Sequence, residues 1–203
     1  IDGSAGWTVM IGANAARGAA TLTDDAVLGK IFQGDRMPYV AGSIKPEGRG
    51  RREPGGLRVS GRYTFGSGIH HAEWVIATCI AENDERIGFI VPQSDVRVID
   101  NWDVVGLSGT GSCDYELEGV FIPEEFLLRF EKFAGAPPLF PADEHAGVAL
   151  GIARHALDEI AKLASEKRRL LMPGTLADRA VFDRDLGRLA DAYGRANLSS
   201  LGG

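Results

Sequence analysis

The chain has 203 residues, 44% hydrophobic and 25% charged, enough for a sizeable core and unlike a disordered composition. A net charge of −6 argues against a nucleic-acid partner, and no apolar run approaches the ~20 residues a membrane helix needs. Two cysteines without CxxC spacing and no charged-then-apolar leader point to a reduced, cytoplasmic protein. In chain order, Ser4 to about Phe32 reads as helical, with Trp7, Met10, Ile11 and Asn14 at helical spacing and Gly18 as a stop. Thr23 with Asp24 and Asp25 marks a second start, and Val27, Leu28, Ile31 and Phe32 supply its apolar face.

From Pro38 to Pro123 short apolar runs alternate with turn residues. Strands are predicted at Tyr39–Ser43, Leu57–Tyr63, Trp74–Ala81, Ile87–Pro92, Val96–Ile99 and Tyr115–Ile122. Glu53-Pro54-Gly55-Gly56 and Glu82-Asn83-Asp84-Glu85 are turn signals, and the basic run Arg49, Arg51, Arg52 reads as a solvated loop. Strands so closely spaced, with no long helix between them, predict a sandwich or barrel. A linker with Gly135, Pro137, Pro138 and Pro141 follows. Helical periodicity then returns, with Val148, Ile152, Ala156, Ile160 and Leu163 on one face and Lys162, Lys167, Arg168 and Arg169 towards the end. Met172-Pro173-Gly174 breaks it, and Leu176–Leu198 forms a second helix that packs back as an αα-hairpin. The expected fold is α+β and multidomain. Residues 1–36 end an N-terminal helical domain, 37–130 form a β-barrel or sandwich middle domain, and 140–203 begin an incomplete C-terminal helical bundle. The chain opens without methionine and stops just after a helical pattern, which reads as part of a longer protein.

The four histidines show no metal-ligand spacing: His70 and His71 are adjacent and have no HxxxH or nearby cysteine partner. They read as a turn before the Trp74 strand, and His145 as a helix-start residue and not a base. Gly109-Thr110-Gly111-Ser112 has the composition of a phosphate cradle but precedes no helix, so it reads as a tight inter-strand loop.

Three stretches carry a resemblance. They are Gly55–Gly68 continuing through His71-Ala72-Glu73-Trp74, then Trp102 with Gly106–Ser112 and Val120-Phe121-Ile122-Pro123, and finally Gly147–Arg154. Together they resemble the acyl-CoA dehydrogenase-like flavoprotein superfamily, closest to its two-component flavin-dependent monooxygenase branch. The resemblance implies a flavin, FAD or FMN, against the Phe65-Gly66-Ser67 turn. Phe65 would cover the ring face, Gly66 would allow close backbone approach, and Ser67 would hydrogen-bond near the reactive edge. Dehydrogenases carry W-x-T there, so an aromatic and a hydroxyl are kept in kind. Ala41-Gly42-Ser43 matches the end of a second flavin-facing loop, with Ser43 the candidate contact. The Thr-Glu-Pro that precedes this loop in dehydrogenases is absent.

The function implied is hydroxylation of a small aromatic or heteroaromatic substrate, with reduced flavin delivered by a partner reductase. The assembly implied is a homotetramer or homodimer. The alternatives are an acyl-CoA dehydrogenase and a non-catalytic binding or assembly module on the same fold. The resemblance assigns the catalytic acid–base group to later helices, so no residue here takes that role.

Overall fold

The computed structural model describes residues 2–133, 142–168 and 173–200. The expected linker at 135–141, Arg169 and Met172 lie outside the described residues. Two compact units form, Trp7–Phe140 and Ile1–Gly6 with Pro141–Gly203.

The larger unit is an α+β arrangement of two helices and one mixed sheet. Helix α1 spans Gly3–Leu22 and α2 Asp25–Ile31. The strands are β1 (Val40–Glu53), β2 (Gly56–Gly66), β3 (Trp74–Ile80), β4 (Arg86–Pro92), β5 (Arg97–Ile99) and β6 (Cys113–Pro123). They lie in the order β4-β3-β1-β2-β6-β5, with β1 and β3 parallel and every other pair antiparallel. Every predicted strand is present.

Alternation along the strands sorts side chains onto two faces. Val75, Ala77 and Cys79 of β3 join Phe89 and Val91 of β4 and Tyr63, Tyr115 and Leu117 of β2 and β6 in one core cluster. Because β4 and β6 are not hydrogen-bonded neighbours yet share that cluster, the sheet is curled. On the opposite face Val40, Ile76 and Ile90 pack against Ala16, Ala19 and Leu22 of α1 and Val27 and Ile31 of α2.

Two expectations are corrected. Arg49–Arg52 is not a loop: it lies in β1, paired residue by residue with Ser60–Leu57 of β2. Arg52 there bonds Glu85 (3.0 Å) and Glu124 (3.2 Å). Gly18 does not stop α1, which runs on to Leu22 with Gly18 buried. Burial of the neighbouring Ala16, Ala19 and Leu22 outweighs the roughly 1 kcal/mol cost of a helical glycine.

In the smaller unit α3 (Ala142–Glu166) and α4 (Ala180–Ser200) form a hairpin. Ala177 N–H donates to Ala164 O and Leu176 N–H to Lys167 O, both at 3.0 Å, at its closed end. The second helix starts later than predicted because Asp178 turns back to accept from Thr175. Ile152, Leu163, Val181 and Leu189, expected on packed faces, are exposed.

Candidate functional site

The end of β2 makes an unusual turn. Phe65 has φ 61°, in the left-handed region that costs an L residue about 1–2 kcal/mol, and the residue is 66% exposed. Phe65 is therefore not a core residue. Its ring meets the edge of Trp102 with centroids 6.2 Å apart and planes at 85°. Gly66 follows, paired with Cys113 of β6. A Cβ there would stand 3.0 Å from the Tyr115 ring and 3.1 Å from Cys113 O, so the close approach of β6 favours glycine.

Ser67 is only 6% exposed, and its hydroxyl is one link in a buried chain. Trp7 Nε1 on α1 donates to Ser67 Oγ at 3.0 Å, Ser67 Oγ lies 2.8 Å from Ser112 Oγ, and Ser112 Oγ 2.7 Å from Thr110 Oγ1. Thr110 Oγ1 donates to Leu107 O at 2.9 Å. The ends fix the direction of the whole chain. An indole N–H only donates, a carbonyl only accepts, and each hydroxyl has one proton. The protons therefore run Trp7 to Ser67 to Ser112 to Thr110 to Leu107, and Ser67 offers a neighbour a lone pair and no proton. Trp102 Nε1 also donates to Leu107 O (3.1 Å), so both indoles anchor one network.

The Gly109–Ser112 segment forms the expected tight loop. Backbone N–H groups of Thr110, Gly111 and Cys113 bond within the loop and are not free to hold an anion. His70 and His71 sit on a turn closed by His71 N–H to Gly68 O at 2.9 Å, ahead of β3. His145 lies in α3.

Ser43 is placed apart from this turn. Its N–H donates to Tyr115 Oη (3.0 Å) and its Oγ accepts from Lys45 N–H (3.2 Å). It lines an apolar cleft of about 60 Å³ beneath α1, with Ile11, Asn14, Gly18 and Ile76 among the walls. Trp7, over Ser67, and Asn14, over the cleft, stand on one side of α1 about 10 Å apart along its axis. Tyr39 braces this region, its hydroxyl donating to Thr8 O at 2.9 Å. Burial pushes its pKa up to about 12.

Thus Phe65, Gly66 and Ser67 share one turn with Trp102, while Ser43 sits at the cleft. Sequence reasoning missed Trp7, Tyr39 and the hydroxyl chain. Its one visible signal was the pair of hydroxyls, Thr110 and Ser112, flanking a glycine.

No family model matches the chain. Indole-3-acetate monooxygenase from Pseudomonas putida is 31% identical over 199 residues, covering 92% of this chain and 51% of that protein. The flavin-dependent monooxygenase oxygenase subunit HsaA from Rhodococcus jostii is 34% identical over 105 residues, 50% of this chain and 28% of that one. Among solved structures, XiaF from Streptomyces, in complex with FADH2 and glycerol, superposes with a TM-score of 0.84 at 26% identity, covering 98% of this chain and 55% of that one. The resemblance read from the sequence is borne out: relatives and structural neighbours of the chain include oxygenase subunits of flavin-dependent monooxygenases. The chain spans about half the length of the indole-3-acetate monooxygenases it matches.

Proposed function

We propose that this chain is the flavin-binding part of a monooxygenase oxygenase component that hydroxylates a small aromatic or heteroaromatic compound, using reduced flavin from a partner reductase. The observation that carries the reading is Phe65: a large apolar ring held outward in a strained backbone conformation, on the segment that resembles the family's flavin-facing turn. Strain of this kind persists where the surroundings enforce it, and it marks functional sites.

The residues present fit a flavin on two further counts. Phe65 and Trp102 offer apolar surface to a planar ring. Ser67 can only accept a hydrogen bond, which suits the N–H a flavin carries at N5 when reduced and lacks when oxidised. FADH2 in the related XiaF structure supports FADH2 over reduced FMN. The names of the relatives, indole-3-acetate monooxygenase among them, support an aromatic substrate, and the term oxygenase subunit supports a separate reductase.

In this reading Phe65 covers the ring, Gly66 brings the backbone close to it, Ser67 accepts at its edge, and Ser43 lines the cleft. When bound, reduced flavin supplies the electrons that activate dioxygen for hydroxylation. The chain's own part is to orient the ring, exclude water with Phe65 and Trp102, and hold the Ser67 proton away from the ring by committing it to Ser112. The cleft at Ser43 is several-fold smaller than the roughly 300 Å³ at which ligand pockets begin, so it takes at most one edge of a substrate. The curled sheet is read as a barrel-type middle domain over residues 37–130, between helical segments 1–36 and 140–203. A cytoplasmic homotetramer or homodimer completes the proposal, and the exposed apolar residues of α3 and α4 suit further helices packing there.

Anaerobic titration with oxidised and reduced FAD and FMN tests the reading. Tighter binding of the reduced form, lost in Phe65→Ala, is expected. Binding of flavin in neither redox state would overturn it.

A further inference from the structure

Three residues far apart in sequence meet beside the Phe65 turn. Cys113 Sγ lies 3.5 Å from His70 Nε2 and 3.5 Å from Asp100 Oδ1, and His70 Nε2 lies 3.8 Å from Asp100 Oδ1. We propose that these three atoms form a binding site for one divalent cation of the zinc class. This inference is independent of the flavin reading.

The argument rests first on the size of the triangle. Zinc takes sulfur at about 2.3 Å, imidazole nitrogen at about 2.0–2.1 Å and carboxylate oxygen at about 2.0–2.2 Å in a tetrahedron. Those lengths require sulfur-to-nitrogen and sulfur-to-oxygen edges of about 3.5 Å and a nitrogen-to-oxygen edge of about 3.3 Å. Two edges already match. The third needs to close by about 0.5 Å, which an exposed Asp100 side chain accommodates by a small rotation. Each residue presents a donor atom of the kind that selects for zinc: a soft sulfur, a borderline imidazole and one carboxylate oxygen. A magnesium or calcium site would be all oxygen.

Burial supports the same assignment. Cys113 forms the floor at 1% exposure, while His70 and Asp100 stand at the solvent side, so an ion has an entry path and an open fourth position for water. On binding, a sulfur–metal bond forms as the Cys113 thiol releases its proton to solvent; nothing is oxidised or reduced. The ion would tie the Ile69–His71 turn, the segment after β5 and the start of β6. The segment after β5 carries Trp102, and Ser67 and Ser112 lie one or two residues before the other two stretches.

The test uses the full chain stripped of metal with a chelator. Zn²⁺ is titrated against a chromogenic competitor, and Co²⁺ is followed by absorption. One equivalent of zinc per chain is expected, together with a thiolate-to-cobalt charge-transfer band and the visible bands of tetrahedral cobalt. His70→Ala and Asp100→Asn change exposed side chains and leave the core intact. Each is expected to weaken zinc binding by about 100-fold, at or beyond the upper end of what loss of a mere supporting partner costs. Cys113→Ser is expected to abolish the charge-transfer band. Absence of stoichiometric zinc binding, cobalt binding without a thiolate band, or unchanged affinity in both exposed-ligand variants would each overturn the proposal.

Discussion

Replacing Ser112 by alanine interrupts the hydroxyl chain at its middle. The variant loses the donation from Ser112 to Thr110 (2.7 Å) and leaves the Ser67 proton, 2.8 Å from the vanished oxygen, without an acceptor. Two hydrogen bonds at about 0.5–1.5 kcal/mol net each, in a site where Ser67 and Ser112 are both buried, give a loss of about 2 kcal/mol. For a chain of this length that lowers the melting temperature by about 4–8 °C. The exposed hydroxyl of Ser108, on the same loop, is the control: Ser108→Ala is expected to stay within about 0.5 kcal/mol of the parent. Urea unfolding followed by tryptophan fluorescence reads both, since Trp7 and Trp102 sit at the two ends of the network. The second readout is flavin preference. Freed from Ser112, the Ser67 proton can serve the acceptor nitrogen of oxidised flavin. The ratio of oxidised to reduced affinity is therefore expected to rise about 5–10-fold, one hydrogen bond's worth. Equal stability of the Ser112 and Ser108 variants would refute the directed chain, and an unchanged ratio would refute the role given to Ser67.

Phe65→Gly relieves a left-handed backbone while removing one edge-on aromatic contact, so its stability is expected within about 1 kcal/mol of the parent while reduced-flavin affinity falls at least about tenfold. A loss above about 3 kcal/mol would mean the ring is core after all. Gly42→Ala would drive a Cβ to 1.9 Å from Ile76 O at φ +125°, and loss of about 3 kcal/mol or more is expected; Gly6→Ala, with open space in α1, is expected to gain about 0.5–1 kcal/mol. Both are read by denaturant midpoint. The Tyr39 hydroxyl titrates near 10 when unfolded and near 12 when folded, so the folded state holds the proton longer. That contribution is complete below pH 10 and is lost as pH rises towards 12. Urea midpoints are expected to fall between pH 10 and 12, with a shallower fall in Tyr39→Phe; an identical slope would remove Tyr39 from the account.

The apolar strands were legible because β3 and β4 are buried on both faces and read as continuous runs, Trp74–Ile80 and Arg86–Pro92. The second half of β1 was not. Pro46, Gly48, Gly50 and the arginines look like loop chemistry, yet each has a place in the strand. Pro46 sits at a register shift where a missing N–H is tolerated, and Gly48 is required because a Cβ would strike Tyr63 Oη. Arg49 and Arg51 stay exposed on β1, with Arg51 paired to Glu53. The Phe65-Gly66-Ser67 turn was legible only through resemblance. The left-handed Phe65 has no local sequence signal, and the partners of Ser67 lie 60 and 45 residues away at Trp7 and Ser112. The trio His70, Asp100 and Cys113 escaped a search for ligand spacing for the same reason: the sheet, and not the sequence, makes them neighbours.

The strand order has a consequence for how this molecule comes together. Strands β1–β2, β3–β4 and β5–β6 are each consecutive in the chain and antiparallel, so the sheet is three local ribbons joined along two seams, β1 with β3 and β2 with β6. Local ribbons close early, whereas distant seams wait on the entropy of loop closure. The Gly66–Cys113 pair lies on the second seam, at the very end where Phe65, Ser67, Ser112 and His70 gather. Any event that stalls the zipping of β6 onto β2 therefore leaves a chain with most of its sheet formed and its chemistry unassembled.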